Sequence, residues 1–224
     1  MADAIINVNG DSIQALDITL LLVVISLLPT LVVMMTSFTR YVVSLSFLRT
    51  AMGTQQTPPN LVLVGMALIL TLFTMTPTLN TIKAEAYDPY VDGQITQEEF
   101  FDRAQLPLKR FMLRNTEITS LELFCEMSGE SAPATVEELE QAVELPLLVV
   151  TPAFVTSELK AAFWTGFLLY IPFMLIDVIV SSTLMSMGMI MLPPSMISTP
   201  FKILLFILLD GWNLLFSTLI QTIR

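Results

Sequence analysis

Apolar and polar stretches alternate along this chain on the length scale of a bilayer. Four apolar runs, residues 18–38, 61–81, 161–192 and 201–220, lie near the ~20 residues that a membrane-crossing helix needs. Pro29 interrupts the first, Pro77 falls near the end of the second, and Pro172 lies inside the third. The third is longer than one span requires. It is expected to tilt, to kink at Pro172, or to include a stretch that does not face lipid. The pattern predicts an all-α membrane protein: helical hairpins with about four hydrophobic segments and a small helical insert. The divisions are an N-terminal tail (1–17), a first hairpin (18–79), an extramembrane domain (80–160) and a second hairpin (161–224).

The insert carries helix signals of its own. Thr96-Gln-Glu-Glu99 and Thr135-Val-Glu-Glu138 both have capping-box spacing, in which the threonine accepts from one free amide and the glutamate reaches back to another. After Thr96, the residues Phe100, Phe101, Ala104, Leu108, Phe111 and Met112 recur at helical spacing and predict one apolar face, with Pro107 as a possible kink. Ser157 is placed to cap the helix leading into the third run. The stretch from Asp88 to Glu99 imitates a calcium loop, with acids at positions 1, 5 and 12 and glycine at 6. Tyr90 stands where a short oxygen ligand is needed and Pro89 stiffens the second position, so a turn into a capped helix is the preferred reading.

Charge then orients these pieces. Residues 81–160 hold 15 of the 20 acids and 6 of the 10 bases, a net of −9 in a chain of net −10. Arg40 and Arg49 flank the first short connection, with no acid between residues 37 and 60, so that connection is expected to be a basic cytoplasmic loop. The insert and the acidic tail are then expected to lie outside. The tail carries three aspartates and no Lys or Arg, unlike the basic start of a secretory signal.

Composition fits this class and removes much chemistry. The chain is 54% hydrophobic and 13% charged, with mean hydropathy +0.74, the balance of a polytopic membrane protein. There is no histidine, so the commonest general base and transition-metal ligand is missing. The single cysteine, Cys125, forms no internal disulfide and no Cys-x-x-Cys site. No phosphate loop or nucleophile elbow is present. No enzyme, cofactor or nucleic-acid interface is expected, and no metal site built on histidine or cysteine.

The residues that invite a function lie at 184–194, LMSMGMIMLPP. Met185, Met187, Met189 and Met191 fall at every second position. On a helix they would face two opposite ways; in extended backbone all four point to one side. Gly188 in the middle and Pro193-Pro194 at the end discourage a regular helix. A helix loosening near Ser186 into a methionine loop is expected. Non-helical backbone at membrane depth belongs inside protein or against an aqueous cavity. Three readings remain open on these residues: apolar filler, a deformable gasket of unbranched thioethers, or a soft-ligand site for copper(I).

Charged residues within the apolar runs are a second signal, because burial at that depth requires pairing or water. They are Asp177, Lys202 and Asp210. With the turn centred near Pro193, Asp177 and Lys202 differ in depth by about 10 Å at helical rise, whereas Asp210 matches Asp177. Lys202 is therefore expected to pair across a staggered subunit interface or to snorkel.

Several motifs together are similar to the flagellar biosynthetic protein FliP family. They are TSFTR (36–40), SFLR (46–49), GTQQTPPN (53–60), PAFVTSELK (152–160), PFMLID (172–177), the methionine run, and PFK (200–202) through DGW (210–212). The resemblance covers residues 18–220. It implies a core subunit of the type III export gate in the inner membrane at the flagellar basal body. There, several copies (five in the family) assemble with FliQ and FliR, beside other export-apparatus membrane proteins, into a channel for unfolded flagellar proteins. It maps the family's seal onto the four methionines and its intramembrane acid and lysine onto Asp177 and Lys202. The hydrophobic segments of such a gate need not all cross lipid. Many members begin with a cleavable signal that this sequence does not show. A copper(I)-handling protein and a passive gate scaffold are the alternatives.

Overall fold

The computed structural model describes residues 5–8, 11–54, 56–133, 135, 138, 142–189 and 191–223, with side chains described from Leu22 onward except at 24, 25 and 28. The architecture is helical, as the apolar runs predict. One element was not foreseen. Within the expected acidic tail, strands β1 (Ile5–Val8) and β2 (Asp11–Gln14) pair antiparallel, Ile5 opposite Gln14. The sequence signal for it is the Asn-Gly dipeptide between two short runs.

Helices α1 (Ala15–Met35) and α2 (Phe38–Ala51) follow. The end of α1, Pro29–Met35, meets α2 at 81°. At the corner the Thr36 hydroxyl donates to the Val32 carbonyl and accepts from the Phe38 amide, and Ser37 Oγ lies 2.8 Å from Thr74 Oγ1. A polar Thr-Ser pair thus supplies the partners that the interrupted helix lacks. The long helix α3 (Asn60–Val91) contains one wider turn at Lys83–Tyr87. In the insert, α4 (Gln97–Arg114) and α5 (Ile118–Ser128) precede α6 (Leu147–Ser186). The second hairpin is completed by α7 (Pro194–Leu208) and α8 (Gly211–Gln221).

The expected capping box at Thr96 is fully formed, and at the second site Thr135 accepts from the Glu138 amide. The calcium-like stretch is a helical turn, Asp88–Val91, followed by Gly93 at φ +70° and the cap of α4. The apolar face of α4 is buried only in its second half, at Phe111 and Met112, while Phe101 stays 59% exposed. Ser157 is not a cap. It lies inside α6, where its hydroxyl donates to the Ala153 carbonyl and accepts from the Glu117 amide. The third run is the end of a much longer helix. At 40 residues, α6 is ~60 Å long, about twice a hydrocarbon core, and it continues through Pro152 and Pro172. The boundary drawn at residue 160 therefore falls within a helix.

Two apolar cores divide that length. One joins the N-terminal half of α6 (Val149, Val150, Ala153, Phe154) to Phe111, Met112, Leu121 and Cys125 of the insert. The other joins α2 (Tyr41, Leu45, Leu48) to Leu63, Phe173, Phe206 and Leu215. Between them α2 packs against α6 so closely that a Cβ on Gly166 would stand 2.5 Å from Phe47 Cγ. Among the described residues two helices, Asn60–Val91 and Leu147–Ser186, are long and apolar enough to cross a membrane, or up to four if the bent pairs count as spans.

Candidate functional site

Helix α6 ends at Ser186 and α7 begins at Pro194. The end of α6 is a glycine stop. The Gly188 amide bonds the Met185 carbonyl at 3.0 Å and the Met189 amide bonds the Leu184 carbonyl at 3.0 Å, with Gly188 at φ +74°. This double closure needs a left-handed residue just past the helix, a conformation that glycine adopts without a Cβ penalty. The Pro193-Pro194 pair then starts α7 where no amide is required. Met185 therefore rides the last helical turn, and Met187, Met189 and Met191 lie beyond it. All four project from the fold: Met185 is 71% exposed, Met187 65%, Met189 43% and Met191 97%.

At the neck of this hairpin lies an ionic cluster. Lys202 Nζ donates to Asp177 Oδ2 at 2.6 Å and to the Ala51 carbonyl at 3.1 Å, and Ser198 Oγ donates to Asp177 Oδ1 at 2.7 Å. The expected pairing of Lys202 across subunits is thus corrected: the partner is Asp177 of the same chain. The depth argument failed because it counted the loop as helix. Measured from the actual helix ends, Asp177 is nine residues before Ser186 and Lys202 eight after Pro194, so the two are level. Asp210 does not join them. It sits exposed at φ 51° in the 68° break between α7 and α8, where its Oδ2 accepts from Asn213 Nδ2 at 2.7 Å. The fourth apolar run is accordingly two helices rather than one.

Arg40 also stands elsewhere than expected. It is no loop residue but a buried member of α2. Its Nε meets Glu158 Oε2 at 2.9 Å, one terminal nitrogen meets Oε1 at 2.5 Å, and the other donates to the Thr222 carbonyl at 2.6 Å. The last three residues of TSFTR, Phe38–Arg40, open α2, which has apolar neighbours on one face, and an arginine there must carry its partner with it. Arg49, in the last turn of α2, does face the connection and bonds Asn60 Oδ1 at 3.1 Å. Sequence reasoning missed Glu158, Ser198 and the Ala51 carbonyl. Two of these had a signal. Glu158 is the lone acid in residues 145–176, and Ser198 lies four before Lys202, on the same helical face.

These features define a helical membrane protein with an exposed methionine loop at the tip of a hairpin whose neck is closed by an ion pair. The FliP family model matches residues 21–219. The flagellar biosynthetic protein FliP of Bacillus subtilis is 48% identical over 203 residues, covering 91% of this chain and 89% of the relative. That of Aquifex aeolicus is 46% identical over 214 residues, 96% and 88% of the two chains. That of Caulobacter vibrioides is 45% identical over 229 residues, 100% and 84%. The chain belongs to the FliP family.

Proposed function

We propose that this protein is a core subunit of the flagellar type III export gate in the bacterial inner membrane, at the basal body. Copies of it, with FliQ and FliR, surround a channel for unfolded flagellar proteins, and the methionine loop is the channel's gasket. The observation that carries this reading is the exposure of all four thioether side chains at the tip of a hairpin whose neck is fixed. A lone chain gains nothing by holding Met191 97% exposed on a braced support. Several such loops around an axis would bury one another, exclude ions, and still give way to a polypeptide, because methionine is unbranched and adapts to changing shapes. The apolar faces left open on α3 and α6, among them Leu72, Phe73, Phe167 and Ile179, supply surface for neighbouring subunits or lipid. The proposed orientation keeps Arg49 cytoplasmic and the acidic insert periplasmic.

Native mass spectrometry of the gently solubilised protein, expressed with and without FliQ and FliR under copper-free conditions, tests this. A defined homo-oligomer that takes up both partners is the expected result. A persistent monomer that binds one copper(I), and loses it when Met187 and Met189 become leucine, would replace the gate with a metal carrier.

A further inference from the structure

A groove lies away from the methionine loop, at the junction of the long helix α3 and the insert. It offers about 800 Å³ between α3, α4 and the end of α8. One wall is the α3 face with Phe73, Pro77 and Thr78; the opposite wall is the α4 face with Arg110 and Arg114; Ile220 closes one side. The two arginines are four residues apart and so share one helical face. Two donors in this groove are unused by the fold. Among the described residues, neither the Arg110 guanidinium nor the Thr78 hydroxyl has a hydrogen-bond or ion-pair partner, whereas Thr74 and Thr76 bond carbonyls of their own helix. Arg110 is also exposed.

We propose that this groove binds the phosphate of an anionic phospholipid in the leaflet next to the insert. Level, charge and shape all support this occupant. The apolar run of α3 ends at Asn80 and its first charge is Lys83, so Thr78 and Pro77 stand where a span leaves the hydrocarbon. Guanidinium and hydroxyl donors lining one groove are matched to a phosphodiester, which accepts several charge-assisted bonds at once. Below them the wall becomes lipid-like: Phe73 is 65% exposed and Ile69 69%, one further turn into the span. An acyl chain can lie along that surface while its headgroup stays at the arginines. The site is a local positive feature on a domain of net −9, which favours an anion there over the surrounding surface.

The test uses the full chain in nanodiscs containing equal phosphatidylglycerol and phosphatidylcholine, with the lipids retained after transfer to the gas phase counted by native mass spectrometry. Wild type should retain phosphatidylglycerol roughly fivefold over phosphatidylcholine, about the worth of one arginine near an anionic surface. Arg110→Gln should bring the ratio near parity, and Thr78→Val should lower it, with unchanged melting temperatures. Equal retention by wild type would overturn the proposal, as would a preference that survives Arg110→Gln. Loss of the retained lipid on adding inorganic phosphate alone would make it a free-anion site instead. A second copy cross-linking through the α4 face in place of lipid would make it a subunit contact.

Discussion

Lys202 Nζ stands 2.6 Å from Asp177 Oδ2, and the two side chains are unequally buried, 6% and 39% exposed. This inequality makes the pair asymmetric. Removing Asp177 leaves a buried ammonium with only the Ala51 carbonyl and no counter-charge, which costs about 3–5 kcal/mol where a buried pair is broken. Removing Lys202 leaves a carboxylate that is less buried and that Ser198 still bonds. Asp177→Asn should therefore lower the melting temperature in detergent more than Lys202→Met does. Equal losses would mean that the pair is held by something other than lysine burial. The exchange Asp177→Lys with Lys202→Asp should recover only part of the loss, because the new carboxylate would face the Ala51 carbonyl.

The Arg40–Glu158 pair makes a different prediction, since both partners are buried and the guanidinium forks. Arg40→Lys keeps the charge but cannot hold two carboxylate oxygens and the Thr222 carbonyl together. We expect a destabilisation of about 3 kcal/mol, within the range for a broken buried pair, and earlier proteolysis after α8, whose end the bond to Thr222 secures. Limited proteolysis of the variant against wild type reads the second effect. An unchanged C-terminal cleavage rate would show that α8 is held by packing alone.

Close packing at Gly166 predicts a coupled pair. Gly166→Ala should destabilise by about 1–3 kcal/mol, the usual cost of overfilling a core, because its Cβ falls 2.5 Å from Phe47 Cγ. In a Phe47→Ala background the same change should cost little. A double-mutant cycle of thermal melts measures the coupling, and additive effects would place the contact elsewhere.

How far the sequence carried these conclusions depends on the residue. Apolar runs gave the helices, because lipid-compatible length leaves few alternatives. The glycine stop at 188 and the cap at Thr96 were legible because each uses a residue type with a local mechanism. What escaped were long-range partners. Arg40 and Glu158 are 118 residues apart, and no periodicity links them. The level of Asp177 with Lys202 was lost through treating residues 187–193 as helical rise. The break at Asp210 was hidden by an unbroken apolar run, though Asp210-Gly211 was a turn signal within it.

Cys125, 0% exposed in the insert core, gives a pH prediction. Burial raises its thiol pKa, and Glu130 raises it further. The native state thus keeps a proton that the unfolded chain gives up above about pH 8.5. Stability is unaffected by this group below that pH and falls as pH rises above it. Chemical denaturation at pH 7.5 and 9.5 should show the loss in wild type and a smaller one in Cys125→Ala. Maleimide labelling of the folded protein should be slow at both. Fast labelling would mean that the core opens.

The ion tightness of the assembled gate bears most directly on the methionine loop. We would measure potassium leak from vesicles containing this protein with FliQ and FliR, for wild type and for the variant with Met185, Met187, Met189 and Met191 all changed to alanine. A gasket predicts tight wild-type vesicles and a leak in the variant, with the assembly intact by native mass spectrometry. An intact variant assembly as tight as wild type would contradict it, and the methionines would then be packing residues at the tip of a hairpin.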